Sequence, residues 1–383
     1  MPLGINLNHG IENVVSKAIE IAKEDWNSVE TSWGFTVSPL CMFGTHRNIK
    51  DTWMNWLRLG VLNTLNLKEL EEKNNCIFID TCGLQGELDV EVPLEQITLT
   101  VNPKYRYGGN LSDEELAQRF QSDSLAELIS YAIGCMMGRY RLDKPGLIYA
   151  HAGNVDFEEI YNDNTTHSSL TNNLFVADDD GIIPLTDQEW YKDDATNRFR
   201  DFVRTVWGEE NLQLNLDFVA ESLCLSALKP KKSESSLETI RRYLSTQFYK
   251  DHLKTYKKRP IYWLFSSGKQ KAFECLVYLH RYNESTLPRM RTEYVTPLLG
   301  KYDAFADQLK KQLEDASTSE AVILKKEQAA LEKKQTELRA FDDHLKHYAD
   351  MRIKLDLDDG VKVNYGKFGD LLAEVKAITG GKE

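Results

Sequence analysis

The chain has 383 residues, enough for two or three domains, and its apolar content of 42% and charged content of 28% are ordinary for a globular protein. Its longest apolar stretch, residues 125–138, contains Glu127 and is shorter than the ~20 residues that a membrane-spanning helix needs. The N-terminus lacks the pattern of an export signal, so we expect a cytoplasmic protein. The formal net charge of −12 would exclude nucleic-acid binding only if the charge were evenly spread.

The first hundred residues predict two helices and a strand. Residues 11–30 carry apolar side chains at helical spacing, and a tryptophan-rich segment predicts a second, short helix that ends near Gly60. The apolar run 76–79 fits either a buried strand or the end of a helix. Residues 97–101 alternate with period two, which predicts a strand that stops at Pro103.

The middle of the chain predicts four helices and a long loop. Acidic residues after Ser112 mark one helix start, and another helix is expected from Ser124 with a Gly-x-x-x-Gly motif that favours close packing. The segment 146–180 is rich in Asn, Thr, Ser and Gly, which is typical of a long surface loop. Residues 194–206 and 212–225 predict two further helices.

The segment after this helical part is polar and then basic. Residues 229–236 form the best candidate linker, and residues 237–257 predict a basic helix. The aromatic run 261–265, a Ser-Ser-Gly turn and the apolar run 273–279 together predict a β-hairpin.

The last third predicts a helical hairpin. Leucines recur every seven residues from Leu324 to Leu345, and a matching apolar stripe occupies residues 298–313. The polar segment 316–319 separates the two stripes, so we expect two antiparallel helices.

The end of the chain completes the predicted fold class. Residues 353–357 and 361–365 alternate on either side of an Asp-Gly pair, which predicts a terminal β-hairpin. The whole chain is therefore expected to be α+β and predominantly helical. We expect an N-terminal segment (1–110), a central α+β region (111–300), and a C-terminal module (301–383) that joins the helical hairpin to the β-hairpin.

Motifs for catalysis are missing from the sequence. A methyltransferase that acts on an amino group of a base uses a glycine-rich cofactor turn and an Asn/Asp-Pro-Pro-aromatic tetrapeptide, but Asn102-Pro103 lacks the second proline. Ser267-Gly268-Lys269 departs from a phosphate loop because Gln270 stands where Ser or Thr is required. The six cysteines and eight histidines show no metal-ligand spacing, so we expect a reduced, metal-free chain without catalytic residues.

The strongest local feature is a basic stretch at residues 241–271 that contains nine Lys or Arg residues and one acid, Asp251. Such cations neutralise phosphates and release counterions, so the stretch predicts contact with double-stranded DNA. The aromatic residues between them fit two interpretations, stacking on exposed bases or packing in the core. The candidate DNA-binding residues are Arg241, Arg242, Lys250, Lys254, Lys257, Lys258, Arg259, Lys269 and Lys271.

Five longer strings carry a resemblance that spacing alone does not give. They are ETSWGF (30–35), IFIDTCGLQGEL (77–88), ISYAIGCMMGRY (129–140), KDHLKTYKKRPIYWLFSSGK (250–269) and LDLDDGVKVNY (355–365). In this order they resemble the C-terminal region of the PglX family, the adenine-specific DNA methyltransferases of bacteriophage-exclusion (BREX) systems. Related single-chain restriction-modification enzymes carry similar strings. The resemblance extends over nearly the whole chain from about residue 15.

This resemblance implies the C-terminal DNA-recognition part of an N6-adenine DNA methyltransferase, with residues 111–300 as the region that contacts DNA. Family members carry their cofactor-binding and Asn-Pro-Pro-aromatic motifs in an upstream domain. The resemblance therefore implies that S-adenosylmethionine binds there and that this chain holds no cofactor and no catalytic residue. Double-stranded DNA is the expected partner, with a catalytic half or other BREX proteins as further partners.

Three hypotheses remain open at this point. The chain is a DNA-specificity part that works with a catalytic part, an assembly module that docks defence proteins through the helical hairpin, or an independent methyltransferase with unrecognised motifs. The first predicts salt-dependent binding of duplex DNA. The second predicts that partners are lost when residues 301–383 are removed, and the third predicts binding of S-adenosylmethionine.

Overall fold

The computed structural model describes residues 9–42, 48–162 and 175–380. It is mostly helical and contains a small antiparallel sheet, which confirms the predicted fold class. The chain divides into two compact units. The first comprises Met1–Tyr131 and Val206–Lys232, and the second comprises Ala132–Thr205 and Ser233–Glu383. The three segments expected from the sequence, with boundaries at 110 and 300, stay a prediction.

The regular elements follow one another in a simple list. The helices are α1 (His9–Asn27), α2 (Pro39–Met42), α3 (Ile49–Cys82), α4 (Pro103–Tyr107), α5 (Asp113–Met136), α6 (Phe157–Asn162), α7 (Ala195–Trp207), α8 (Leu212–Ser226), α9 (Ser236–Thr246), α10 (Phe248–Thr255), α11 (Thr286–Arg289), α12 (Thr296–Asp315), α13 (Thr318–Asp350), α14 (Gly360–Gly366) and α15 (Val375–Thr379). The strands are β1 (Ile182–Pro184), β2 (Tyr262–Ser266) and β3 (Glu274–Tyr278). None of the helices in the described ranges combines the length and apolar character that crossing a bilayer requires.

The helix α3 is much longer than the sequence pattern indicated. It runs for 34 residues, so the prediction of a short helix ending near Gly60 was wrong. Gly60 lies inside the helix, where an added Cβ would be 3.1 Å from the Cβ of Val101, so the glycine permits close packing rather than ending the helix. The apolar run 76–79 is the last part of α3, which confirms the second of its two predicted alternatives.

The predicted strand at residues 97–101 is wrong, although its alternation correctly marked the buried side chains. Ile97, Leu99 and Val101 are buried, but the segment forms no ladder. Instead the buried carboxylate of Asp25 on α1 accepts the backbone N–H groups of Thr100 (2.7 Å) and Val101 (3.0 Å). A side chain thus satisfies the amides that a neighbouring strand would otherwise have satisfied.

The helix α5 joins the two helices predicted at 113 and 124. Ser124 does not start a new helix, because its hydroxyl donates to the Phe120 carbonyl at 2.7 Å within one continuous helix. Close packing at both glycines of the Gly-x-x-x-Gly motif is confirmed, since a Cβ would lie 2.5 Å from the ring of Tyr140 at Gly134 and 2.6 Å from the ring of Phe157 at Gly138, but Gly138 lies beyond the end of α5 and not within the predicted helix. The predicted helices at 194–206 and 212–225 are confirmed as α7 and α8.

The predicted surface loop at 146–180 is partly helical. Helix α6 lies inside it, and residues 163–174 are outside the described residues. Beyond that gap the buried side chain of Arg281 holds the loop, because its guanidinium donates to the carbonyls of Asp178 and Asp179. The same guanidinium lies 3.6 Å from the centre of the Phe157 ring.

The sheet is the centre of the second unit. Its order is β1-β3-β2 and both pairings are antiparallel, with Val277 opposite Trp263 on one side and Ile182 on the other. The predicted hairpin at 261–279 is therefore confirmed. All five residues of β3 are buried, so both faces of the strand are covered, and the four residues after Glu274 form a continuous apolar run.

The predicted helical hairpin is confirmed as α12 and α13. A capping box formed by Ser317 and Glu320 starts α13 directly after the turn. The proximal part of the hairpin belongs to the core around the sheet, to which it contributes Leu298, Leu338 and Leu345.

The predicted terminal β-hairpin is wrong. Residues Leu357–Asp359 form a 3₁₀ turn and α14 follows it at once. The side-chain oxygen of Asp356 accepts the N–H of Asp358 at 3.0 Å, and that of Asn364 accepts the N–H of Asp356 at 3.1 Å. These local bonds close a helical turn where the alternating valines indicated a strand, and Val363 on that turn is exposed.

Candidate nucleic-acid interface

The basic stretch begins in α9 with a local signal that fixes the helix start. The hydroxyl of Ser235 accepts the N–H of Glu238 at 3.3 Å, and the Glu238 carboxylate accepts the N–H of Ser235 at 2.7 Å. The single basic helix predicted for residues 237–257 was wrong, because α9 ends at Thr246 and α10 starts after Gln247.

Arg241 is part of the interior of the second unit. Its guanidinium lies 2.5 Å from the carboxylate of Asp194, and the two side chains are only 11% and 1% exposed. It also donates to the carbonyls of Thr186 and Gln188 at 3.3 and 3.2 Å. This arginine therefore holds α9 to the segment that precedes α7.

Arg242 is also bound to a carboxylate of its own chain. Its Nη2 lies 2.5 Å from Oε2 of Glu234, and its Nε lies 2.8 Å from Oε1, so the contact is bidentate. Both side chains are mostly buried. The two arginines of α9 thus stabilise the fold, and neither presents its charge freely to a partner.

The one acid of the stretch is held at the junction of the two helices. Asp251 accepts the hydroxyl of Tyr243 and the side-chain amide of Gln247, each at 2.9 Å. These bonds hold the carboxylate toward the start of α10.

Helix α10 and the turn after it carry the exposed cations. Lys250 and Lys254 are one helical turn apart on the same face, and residues 257–259 (Lys-Lys-Arg) continue directly from the helix end. In the part of the chain that the structure describes, none of these five side chains, nor that of Lys269, forms an ion pair within 4.0 Å. With a rise of about 1.5 Å per residue, Lys250 and Lys254 are separated by about 6 Å along the helix axis. We call these six residues the cation row.

The turn after α10 has an uncommon backbone. The N–H of Lys258 donates to the Leu253 carbonyl at 2.7 Å and that of Lys257 donates to the Lys254 carbonyl at 3.2 Å, which is the bonding pattern of a Schellman motif. Lys257 and Lys258 both have left-handed backbone angles (φ 49° and 60°), where glycine is the preferred residue. The conformation costs of order 1 kcal/mol for each, and it places two cations at the negative end of the helix dipole.

His252 binds the backbone that follows this turn. Its Nε2 accepts the N–H groups of both Ile261 and Tyr262 at 3.2 Å, so the end of α10 is tied to the start of β2. Burial, assisted by the positive charge of Arg139, lowers the pKa of His252 to about 3. The imidazole is therefore neutral at physiological pH, which is the state that can accept these bonds.

The turn between β2 and β3 presents one further cation. Glu337 on α13 accepts the hydroxyl of Ser267 at 2.7 Å and the N–H of Gln270 at 2.7 Å, which fixes the turn. Lys271 is occupied, because its ammonium group lies 3.1 Å from the Glu274 carboxylate and 2.6 Å from the Ser245 carbonyl. Lys269, which lies between Ser267 and Lys271 in the sequence, is exposed.

Five of the six aromatic residues considered in the basic stretch are core residues, and the sixth, Tyr256, is half-buried. Tyr243, Phe248, Tyr249, Tyr262 and Trp263 are all buried, so they are not available to stack on bases. Of the two interpretations left open by the sequence, the structure supports packing in the core.

The structure thus divides the nine candidate residues into two groups. Arg241, Arg242 and Lys271 are bound to carboxylates, and the other six form the cation row. Sequence reasoning missed the residues that determine this division. No local signal pointed to Asp194, which is 47 residues away from its partner Arg241.

The arrangement is suited to electrostatic contact rather than to covalent chemistry. Exposed ammonium and guanidinium groups can neutralise phosphates, and they hold no substrate in a defined reacting geometry. Within the described ranges no group of three or more His, Cys, Asp or Glu side chains is placed to hold a metal ion.

Comparisons with known proteins place this site in a wider context. No family model matches the chain. The chain is 56% identical over 374 residues to the adenine-specific methyltransferase BrxX of Escherichia coli O9:H4 (strain HS). The matched region covers 97% of this chain and 30% of that protein. The chain is 36% identical over 387 residues to the adenine-specific methyltransferase PglX of Lacticaseibacillus casei (strain Zhang), which covers 99% of this chain and 29% of that protein. The predicted resemblance is confirmed, and the chain spans about three tenths of the length of these curated relatives.

Proposed function

Because the chain is homologous over nearly its whole length to part of the adenine-specific methyltransferases BrxX and PglX, we propose that it is the C-terminal DNA-recognition part of such an enzyme. In this proposal the cation row binds phosphates of duplex DNA. Methyl transfer from S-adenosylmethionine to N6 of adenine is carried out by residues outside this chain, and the enzyme serves a BREX-type phage-defence system.

The observation that carries the proposal is that the cation row is exposed and unpaired among the described residues of a chain with a formal net charge of −12. A polyanion responds to the local potential, and an acidic remainder orients the duplex toward the only strongly basic stretch of the sequence. Lysine ammonium groups on flexible stems suit phosphate contact, which positions a protein on DNA without reading its sequence. The row is therefore proposed as the docking surface and not as the base-reading surface.

The test compares two charge reversals of equal size. In one variant Lys257, Lys258 and Arg259 become Glu, and in the control Lys325, Lys326 and Lys333 on α13 become Glu; all six side chains are exposed. Binding of a labelled duplex is followed by fluorescence anisotropy between ~50 and ~200 mM salt. We expect the first variant to bind at least ~10-fold more weakly, with a shallower slope of log affinity against log salt, because about 0.9 of slope is lost per phosphate contact.

Equal losses in both variants would show that only net charge matters, and equal binding by the first variant and the wild type would remove the row from the interface. A separate calorimetric titration with S-adenosylmethionine addresses the division of labour. We expect no heat of binding from this chain, and a stoichiometric signal would support an independent methyltransferase instead.

The helical hairpin supports a second candidate function, an assembly module without DNA specificity of its own. At the distal end of the hairpin Val322 and Ile323 are 53% and 66% exposed. Removing residues 301–383 would also remove core residues, so substitution at the tip is the cleaner experiment. Loss of co-purifying BREX proteins from the Val322→Ser/Ile323→Ser variant, with unchanged DNA binding, would favour this candidate.

A further inference from the structure

An apolar groove lies between α1 and α3 in the first unit. Its volume is about 310 Å³, and its lining includes Val15 and Ile19 from α1 and Leu67 and Leu70 from α3. The groove is open to solvent along its length, since Val15 is 40% and Ile19 is 60% exposed. A surface of this kind accommodates a row of apolar side chains from a partner helix.

Helix α1 carries one more apolar stripe than the fold of the first unit uses. Ile11 and Val14 are buried against the unit. A second stripe with helical spacing runs through Val15, Ile19 and Trp26, and Trp26 is 65% exposed. An exposed stripe of this length is unfavourable in water, which indicates that another surface covers it in the working protein.

One polar atom at the groove has no hydrogen-bond partner among the described residues. The side-chain oxygen of Asn74 on α3 is buried and accepts no hydrogen bond among the described residues. A buried acceptor without a donor is costly, of order 1–3 kcal/mol, unless something supplies that donor. Glu71 lies one turn earlier on the same wall of the groove, and burial raises the pKa of its carboxyl group. The groove therefore offers an apolar floor, one acceptor and one acid.

We infer that this groove is the docking site for an amphipathic helix of the methyltransferase part that the relatives possess outside the matched region. The helix presents apolar side chains to Val15, Ile19 and Leu70, and it presents a Lys, Arg or amide donor to Asn74 and Glu71. The inference rests on the proposal that the chain is one part of such an enzyme.

The length of the relatives is the reason for choosing this occupant. The chain covers 30% of BrxX and 29% of PglX, so most of each relative lies outside the matched region. Most of the large apolar side chains that are exposed in the described residues belong to the first unit, whereas the cation row belongs to the second. The first unit therefore carries most of the exposed apolar surface, and the second unit carries the cation row.

The experiment measures binding of the chain to the separately expressed part of BrxX outside the matched region, after circular dichroism has shown that this probe is folded. Ile19→Glu places a charge in the groove, and Asn13→Glu adds the same charge at an exposed position of α1 that does not line it. We expect Ile19→Glu to weaken binding at least ~10-fold and Asn13→Glu to leave it unchanged, as for removal of a central apolar contact. Asn74→Leu should also weaken binding, because the partner's donor would be left unpaired, while the free chain gains stability.

Equal binding by wild type and Ile19→Glu, or no binding of the wild type, would overturn the inference. Light scattering that shows a dimer of the wild type and a monomer of Ile19→Glu would overturn it in favour of a second copy.

DNA binding is measured on the same variants. If Ile19→Glu loses the probe and keeps DNA, while the Lys257/Lys258/Arg259 reversal does the opposite, both proposals stand. If DNA binding does not depend on the cation row, the proposed docking surface fails and the groove is judged on the probe alone.

Discussion

Helices α9 and α10 are neighbours in one basic stretch, yet they use their cations in opposite ways. In α9 both arginines are mostly buried against Asp194 and Glu234. In α10 and the turn after it, the lysines are exposed and have no ion pair among the described residues. The planar guanidinium suits bidentate contacts inside a fold, and the strongly hydrated ammonium suits a solvated surface. Charge counted along a sequence therefore overestimates the charge that is available to a partner.

The largest expected effect comes from breaking the α9 side of this comparison. Arg241→Leu leaves the Asp194 carboxylate buried without its counter-charge, and we expect the free energy of unfolding to fall by ~3 kcal/mol or more, measured by urea denaturation. Asp194 also caps α7, because its carboxylate accepts the N–H of Asn197 at 2.9 Å. The double variant Arg241→Leu/Asp194→Asn keeps that cap and removes the charge, so it should recover much of the loss. No recovery would show that the pair is not the cause.

The second expected effect concerns the imidazole that ties α10 to β2. The pKa of His252 is lowered to about 3 in the folded chain, against ~6.5 in the unfolded chain, so between these values the unfolded state binds the extra proton. The stabilisation that neutral His252 gives to the folded chain is fully present above pH ~6.5. It is lost as the pH falls toward 3, and the free energy of unfolding then decreases by an amount on the order of a few kcal/mol. His252→Gln keeps an acceptor but does not titrate, so its stability should depend less on pH in this window.

The pH experiment has a natural control in the same unit. The pKa of His280 is lowered to about 4, mainly by burial. Replacing His280 with Gln should therefore also make the free energy of unfolding depend less on pH, over the narrower window between about 4 and ~6.5. If His252→Gln shows the same pH dependence as the wild type while His280→Gln flattens it, the role given to His252 is wrong.

Much of the fold could be read from the sequence where the signals were local. The β-forming runs on either side of the Ser-Ser-Gly turn predicted the hairpin at 261–279, and the seven-residue spacing of leucines from Leu324 to Leu345 predicted the second helix of the helical hairpin. The failures came where a side chain, rather than a neighbouring strand, satisfied the backbone. Asp25 replaces the partner of a strand at 97–101, and Asn364 closes a helical turn where alternation indicated a strand. At 97–101 the alternation correctly marked buried side chains, but burial alone does not specify a ladder, and at 361–363 the alternating valines are not buried.

The sequence predicted which cations belong to the candidate site, but it did not predict which of them are exposed and can contact a partner. The basic stretch identified which cations to consider, but it did not show that Arg241, Arg242 and Lys271 are bound to the carboxylates of Asp194, Glu234 and Glu274. The left-handed backbone at Lys257 and Lys258 had no sequence signal either, because glycine is the residue expected there.

A substitution of intermediate effect separates stability from binding in the turn after α10. Lys257→Gly relieves the left-handed backbone at φ 49°, so we expect the free energy of unfolding to rise by about 0.5–1 kcal/mol while duplex affinity falls a few-fold. Lys254→Gly removes the same charge from within the helix, where glycine costs about 1 kcal/mol. Opposite changes in stability with similar losses of affinity would separate backbone strain from charge. Unchanged affinity in both would contradict the role of these lysines.

The smallest expected effect tests the comparison at single-charge resolution. Lys250→Gln removes one exposed cation of α10, and stability should change by less than ~0.5 kcal/mol, as for ordinary surface positions. If this lysine meets one phosphate, the slope of log affinity against log salt should become shallower by about 0.9. Arg242→Gln removes one cation from α9, whose guanidinium is bound to Glu234, so it should alter stability and leave the salt slope unchanged. Equal slopes for the two variants would mean that α9 and α10 contribute alike, and the distinction between buried arginines and exposed lysines would lose its functional meaning.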